Sequence, residues 1–319
     1  MSGMLKDSSF YIFLRIITLS VMCAWASEVN AQPLSASNAH AAGTPAPQKW
    51  DAETERLFDG DPRRRLQGTR PEVKKLSTSQ ANGSPEDARP IAWGPLIPAE
   101  FVEDEIKTLY IAMQKPMARI GSYKSGGYQT VSQQFAVVAA MFQILSRHST
   151  AVRWKEIAAP ASAHFSNASR QAQVNNLQAY ESAKRSYDDL GQLIRGERVE
   201  FVPASALPWS EIIELPQLMR RLQQGYAEGL RPWSADAEEF EKNQLSVIHE
   251  SRIHAALAEI LQQPSYELND DDEYQRHGRR LKSDSQQILQ SAQESNLNQV
   301  QRFVGELNKT CSRCHEDYK

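Results

Sequence analysis

Cysteine is scarce in this sequence, since only three occur among its 319 residues. Cys23 lies in an apolar segment near the N-terminus, which leaves Cys311 and Cys314 for the rest of the chain. A structural zinc site needs four ligands, and the sequence has neither a second cysteine pair nor an H-x-x-x-H pair to complete one. Zinc binding is therefore disfavoured for the two remaining cysteines.

A strong charge of one sign is also absent. The net charge is −3 and charged residues make up 24% of the chain, which suits a soluble, helix-rich protein and gives no electrostatic reason to expect nucleic-acid binding. No carboxylate pair, nucleophile triad or phosphate-binding loop stands out in the sequence. We therefore predict no catalytic reaction.

The N-terminus has the pattern of an export signal. Lys6 and Arg15 precede an apolar stretch from Ile16 to Ala26, and Val29-Asn30-Ala31 fits a small-residue cleavage site. An uncleaved anchor is the alternative, but Arg15 leaves the apolar run short for a membrane span. We expect a signal peptide over residues 1–31, export to the periplasm or beyond, and no stable membrane span after cleavage.

Residues 32–98 have the composition of a disordered linker. This segment is rich in Pro, Ala and Ser, holds nine of the sixteen prolines, and shows no sustained apolar period. Its basic cluster Arg63-Arg64-Arg65 is interpreted as a solvated charge run rather than a membrane or nucleic-acid contact. Ordered structure is predicted to begin after Pro98.

Long amphipathic segments follow, and their apolar spacing predicts helices throughout. In residues 99–200 we expect helices near 99–117, 131–146, 154–171 and 177–195. In residues 201–319 we expect helices near 214–226, 235–262, 274–290 and from 295 to the C-terminus. A shift of about 116 residues places one set on the other. The predicted fold is all-α, with two tandem four-helix bundles after the signal peptide and linker.

One short motif carries chemistry. Cys311-Ser312-Arg313-Cys314-His315 is a C-x-x-C-H pattern, which is typical of covalent haem attachment. On a helix, positions 311, 314 and 315 share one face, so two thiols can bind the vinyl groups of one haem c while His315 is an axial iron ligand. A disulfide and a redox-active dithiol are the alternatives, but such a dithiol usually opens a helix in an α/β domain.

The C-terminal half, from about residue 212 to 319, resembles the cytochrome c-prime and cytochrome c-556 family. In that family the C-x-x-C-H motif lies on the last helix of a four-helix bundle, and an aromatic and a basic residue follow, as Tyr318 and Lys319 do here. The resemblance implies a mono-haem electron carrier in contact with transient redox partners. It also implies a homodimer, although the additional half of this chain could occupy the dimer surface.

The first half resembles a second copy of the bundle, as in two-copy haem proteins of planctomycete-type bacteria. The segments that carry this resemblance are Gly126-Gly127-Tyr128, Val152-Arg153-Trp154-Lys155 and Asp188-Asp189-Leu190. Where the haem motif would fall, this copy has Arg195-Gly196-Glu197-Arg198-Val199, with neither Cys nor His. We therefore expect a haem-less first copy.

The sixth iron ligand decides what the haem does. In the resembling family the first helix supplies either a Met, which gives an electron carrier, or an apolar side chain, which gives a five-coordinate haem that binds NO or CO. Met219 is the only Met of the haem-bearing half, and Leu218 beside it is the expected lining residue if Met219 is not bound. His249, His254 and His277 are less favoured as ligands.

The haem motif and the open question of the sixth ligand lead to three candidate functions. Electron transfer is preferred, gas binding or sensing is the alternative, and the haem-less copy could be an interaction module. The acidic loop Asp270–Glu273 could dock a basic partner, although a solvated loop is the simpler interpretation.

Overall fold

The protein is described from a computed structural model, which covers residues 91–318. These residues lie within one compact unit and are overwhelmingly helical, without a strand among them. None of the helices in this range combines the length and apolar character needed to cross a bilayer. The all-helical prediction is thus confirmed. The signal peptide, its cleavage site, the Arg63–Arg65 cluster and Lys319 lie outside the described residues.

Eight long helices, here α1 to α8, form most of the structure. They are α1 Ala99–Met117, α2 Tyr128–Ser146, α3 Ala158–Gln171, α4 Leu177–Arg195, α5 Leu215–Gln224, α6 Ala237–Leu261, α7 Asp272–Gln293 and α8 Leu297–Tyr318. The shorter helical segments are Trp93–Leu96, Ile120–Ser122, Tyr123–Gly127, Lys155–Ile157, Trp209–Ile212, Gly225–Leu230 and Arg231–Trp233. For description, residues 91–207 are the first half and residues 208–318 the second half.

Helix ends follow the local sequence. The side chains of Asn176, Asp236 and Asp271 accept hydrogen bonds from the first backbone N–H groups of α4, α6 and α7, which have no partner within the helix. Gly196 ends α4 with a φ of 87°, a left-handed conformation that favours glycine. The acidic sequence Asp270–Glu273 is therefore largely the capped start of α7 rather than a free loop.

The two halves differ in whether their first and last long helices pack on each other. In the first half, α1 packs on α2, α2 on α3, α3 on α4, and α4 returns to α1. In the second half, α5 packs on α6, α6 on α7 and α7 on α8, but α5 and α8 make few direct contacts. A gap between the first and last helices is thus specific to the second half.

Contacts between the halves come in matched pairs. The short helix Trp93–Leu96 packs on α6, and the short helix Trp209–Ile212 packs on α2. Trp93 and Trp209 are 116 residues apart in sequence, and their rings meet with centroids separated by 5.6 Å. Both tryptophans are buried.

A second matched pair joins the long helices. The side-chain amide of Gln133 donates to the backbone oxygen of Gln217 at 2.7 Å, and the ring of Phe101 lies 5.9 Å from that of His249. The two contacts occupy equivalent positions, because Gln217 comes 116 residues after Phe101 and His249 comes 116 residues after Gln133. Reciprocal contacts of this kind are typical of an interface with two-fold symmetry.

The last part of the linker predicted for residues 32–98 is ordered, while residues 32–90 lie outside the described residues. Trp93 and Ile97 are fully buried, and Trp93 begins a short helix. Burial of these apolar side chains offsets the entropy lost when the segment is ordered. Trp93, Leu96 and Ile97 therefore belong to the hydrophobic core.

Candidate functional site

The Cys311 to His315 motif lies within α8, so the helix predicted for it is present. Cys311 is partly buried and packs against the core, Cys314 is also partly buried, and His315 is exposed. Neither thiol is in a disulfide. The spacing i, i+3 and i+4 brings all three side chains to one face of α8.

That face opens onto a crevice between α5 and α8, which encloses a cavity of about 50 Å³. Most of its wall is apolar, as is typical of cofactor and ligand pockets. The lining residues are Met219, Leu222, Gln223 and Tyr226; His254 and Leu261 of α6; His277 and Leu281 of α7; and Leu307, Asn308, Thr310, Cys311, Cys314 and His315 of α8.

Met219 lies on the wall opposite the motif. Met219, Leu222, Gln223 and Tyr226 follow the i, i+3, i+4, i+7 spacing of one helix face, which α5 and the segment after it turn towards α8. The structure thus brings together Met219, Cys311, Cys314 and His315 around one cavity.

Leu218 does not line this crevice. It is fully buried, and its neighbour Gln217 contacts the first half, because successive residues on a helix point about 100° apart. Leu222, one turn further on, is the buried apolar side chain that lines the crevice beside Met219. Leu222, rather than the expected Leu218, is thus the apolar residue that lines the crevice. Its position three residues after Met219, on the same helix face, could have identified Leu222 from the sequence.

Both thiols favour their neutral form. Burial raises the pKa of Cys311 to about 11, and burial also raises the pKa of Cys314. Redox-active dithiols instead use a cysteine whose thiolate is stabilised by a nearby positive group. The surroundings of these two cysteines therefore disfavour a redox-active dithiol.

The histidines near the crevice are engaged in hydrogen bonds. His254 is buried, with Nδ1 3.1 Å from the backbone oxygen of Glu250 and Nε2 3.1 Å from that of Leu222. Since both ring nitrogens face an oxygen, His254 is not free to bind a metal. His249 does not line the crevice, and its Nε2 lies 3.1 Å from Glu105.

At the rim, His277 belongs to a small polar cluster with two carboxylates. Its Nε2 lies 3.0 Å from Asp317 and 3.4 Å from Glu273. Their ligand atoms are close enough to hold a metal ion together. The hydrogen bond between His277 and Asp317 accounts for the cluster without one.

A polar group without a partner lies beside the motif. The hydroxyl of Tyr274 is buried and has no hydrogen-bond partner among the described residues. Burial, and to a lesser extent the neighbouring thiol of Cys314, raise the pKa of this phenol. Unsatisfied buried polar groups are uncommon, and a bound molecule is one means of satisfying them.

The corresponding place in the first half is filled. Tyr110, 116 residues before Tyr226, stacks on Tyr187 with ring centroids 4.5 Å apart. A side chain at Gly191 would collide with the Tyr110 hydroxyl, so α4 and α1 are closely packed here. Helix α4 then ends at Arg195, and Glu103 stands where the second half has Met219.

The residues of the second half fit a covalently held haem. They provide a crevice with an apolar wall, two neutral thiols and an imidazole on one helix face, and an unpaired buried hydroxyl nearby. At the equivalent place the first half has neither the thiols nor the imidazole.

No family model, no characterised protein and no solved structure matches this chain. The functional argument therefore depends on the motif and the geometry of the crevice.

Proposed function

We propose that the protein is an exported c-type cytochrome that transfers electrons through one haem c, attached to Cys311 and Cys314 with His315 as proximal iron ligand. The observation that carries this proposal is the crevice between α5 and α8, onto which all three motif side chains open. Haem attachment takes place outside the cytoplasm, which agrees with the export signal expected at residues 1–31.

The proposal extends to the architecture. We interpret the eight long helices as two tandem four-helix bundles, α1 to α4 and α5 to α8, of which only the second bears haem. The order of helix contacts within each half and the matched contacts between halves support this interpretation. Because the halves already cover each other's equivalent surfaces, we expect the chain to be a monomer rather than the homodimer implied by the family resemblance.

The residues around the crevice have distinct tasks. Haem, when bound, supplies a one-electron couple between ferrous and ferric iron. Met219, on the wall that faces His315 across the crevice, would be the sixth ligand. Leu222, Leu281 and Leu307 would exclude water from the haem, and this burial, together with the two ligands, would set the reduction potential.

Partner proteins are expected to dock briefly near the motif. His315 and Asp317 are exposed at the end of α8, so this end of the cavity is accessible. Electron carriers meet their partners over small, transient interfaces. Asp271, Asp272 and Asp317 give this end an acidic character suited to a basic partner.

A five-coordinate haem that binds NO or CO is the second candidate. The buried side chain of Leu222 lies on the same wall as Met219 and favours this candidate, since an apolar residue facing the iron leaves a coordination position open. The two candidates differ in whether the thioether of Met219 is bound.

The absorption spectrum of the holoprotein, recorded with and without CO, tests the proposal. A low-spin spectrum that CO leaves unchanged supports electron transfer with Met219 bound. A high-spin spectrum with ready CO binding supports gas binding, and absence of covalent haem overturns both candidates.

A further inference from the structure

A buried carboxylate links the haem-free first half to the second half. Glu105 of α1 is 2% exposed, although it carries a charged group. One of its oxygens accepts from Arg221 Nε at 3.0 Å and lies 2.9 Å from Arg221 Nη2. The other lies 3.1 Å from His249 Nε2.

The link continues to the crevice. Arg221 donates from Nη1 and Nη2 to the two oxygens of Glu250, at 2.6 and 2.9 Å. Glu250 Oε1 lies 3.0 Å from His254 Nδ1, and His254 lines the crevice and bonds the backbone oxygen of Leu222. A continuous chain of contacts therefore runs from Glu105 to the wall that carries Met219.

Arg221 and Glu250 stabilise each other as an ion pair. Burial alone would lower the pKa of Arg221, but the carboxylates of Glu105 and Glu250 outweigh it and raise that pKa. Burial alone would raise the pKa of Glu250, but the charge of Arg221 and bonding to His254 lower it. Charges this deeply buried interact strongly, because little water screens them.

The structure makes room for this cluster. A side chain at Gly225 would overlap Glu250, His254 and Arg221. Because glycine has no side chain, the end of α5 can approach α6 closely at this point. Buried ion pairs can often be replaced by apolar residues without loss of stability. Stability alone therefore does not explain why four charged or polar groups are kept at this point.

The equivalent positions of Glu105 and Arg221 explain why the carboxylate that pairs with Arg221 comes from the first half. Glu105 and Arg221 are 116 residues apart and so occupy equivalent places in the two halves. If two copies of the haem-bearing half paired in the same way, Arg221 would face Arg221. A chain with two different halves can place a carboxylate against that arginine instead.

We propose that Glu105 is a positioning residue through which the haem-free half sets the reduction potential of the haem in the other half. Its negative charge, relayed by Arg221, Glu250 and His254, favours the oxidised haem and holds the Met219 wall in place. This inference depends on the proposed haem function and assigns a role to the half that has no cofactor.

The test compares the holoprotein with its Glu105→Gln variant, which keeps the shape and removes the charge. The matched control is Glu103→Gln on the same helix, where Glu103 pairs only loosely with Arg153 at 3.9 Å within the first half. We expect the reduction potential to rise in Glu105→Gln and to change little in Glu103→Gln. The rise should persist at high salt, which screens exposed charges but not buried ones.

Equal potentials in the two variants, with haem still attached, would overturn the inference while leaving the proposed function intact. If no covalent haem formed in the native chain, the proposed function itself would fail. Should Glu105→Gln not fold, Glu105→Asp withdraws the carboxylate by one methylene towards α1. The potential should then rise by a smaller amount, and an unchanged potential in Glu105→Asp would also contradict the inference.

Discussion

Tyr110 and Tyr187 stack at 4.5 Å between the first and last helices of the first half, whereas Tyr226, 116 residues after Tyr110, lines an open crevice. The same helical plan is thus closed by aromatic packing in one half and left open in the other. The C-x-x-C-H motif belongs to the open half. This contrast gives the haem proposal a structural basis beyond the motif.

Replacement of Met219 by Leu should open the iron to CO. Leucine keeps the volume and apolar character of the side chain but removes the thioether sulfur. We expect the spectrum to change from low-spin to high-spin and CO binding to appear. The matched control is Met113→Leu, because Met113 is a buried methionine of α1 in the first half. Equal CO binding in both variants would contradict ligation by Met219.

The stacked tyrosines should support the first half without influencing haem. An aromatic pair contributes about 0.5–1.5 kcal/mol beyond the area it buries, so Tyr110→Leu should lower the free energy of unfolding of the holoprotein by at least about that amount. Urea unfolding measures this change. The haem content and absorption spectrum should stay unchanged, and loss of haem from this variant would argue against the assignment of Tyr110 to a haem-free half.

Glu250 should stabilise the fold in a pH-dependent way. Its folded-state pKa lies below the unfolded value of about 4.3, so its contribution is complete above that pH and is lost as the pH falls through the folded value. Breaking a buried ion pair costs about 3–5 kcal/mol, which we expect for Glu250→Gln at pH 7.

Urea unfolding of the native holoprotein and the Glu250→Gln variant between pH 7 and acid checks this prediction. The difference in free energy of unfolding should shrink below about pH 4. Glu241→Gln, exposed on the same helix, should remain within about 0.5 kcal/mol of the native protein. A difference for Glu250→Gln that grew in acid would show that the carboxylate is not stabilised by its partners.

A methyl group at Gly225 should destabilise the fold, whereas one at Gly305 should not. Gly225 is pressed against Glu250 and His254, so Gly225→Ala should cost about 1–3 kcal/mol through overpacking. Gly305 lies in α8 with open space around it, so Gly305→Ala should stabilise the protein by about 0.4–1 kcal/mol. Thermal unfolding of both holoprotein variants distinguishes these outcomes. Similar changes in the two would mean that the Gly225 contact is unimportant.

Local sequence signals predicted most helices well. The helices expected at 99–117 and 177–195 have the bounds of α1 and α4, because proline and glycine mark their ends. The helix expected from residue 154 begins at Ala158, since a short turn at Lys155–Ile157 comes before it. Apolar periodicity also identified α2, α6, α7 and α8 to within a few residues at their ends.

Contacts distant in sequence were harder to predict. The short helix at Trp93 lies in a segment of linker-like composition, and only its match to Trp209 at a distance of 116 residues could have revealed it. Glu105 fits the charged face of α1 by periodicity, but its partner Arg221 comes from the other half. Burial of a charge depends on packing between the halves, which local periodicity does not describe.

The most direct test of the haem proposal is the haem stoichiometry of the purified chain, made together with a c-type haem maturation system. Mass spectrometry of the denatured protein should show one haem per chain that acid-acetone does not extract. Substitution of both Cys311 and Cys314 by Ala should abolish this attachment, while Ser312→Ala should retain it. A native chain that carries no covalent haem under these conditions would contradict the account.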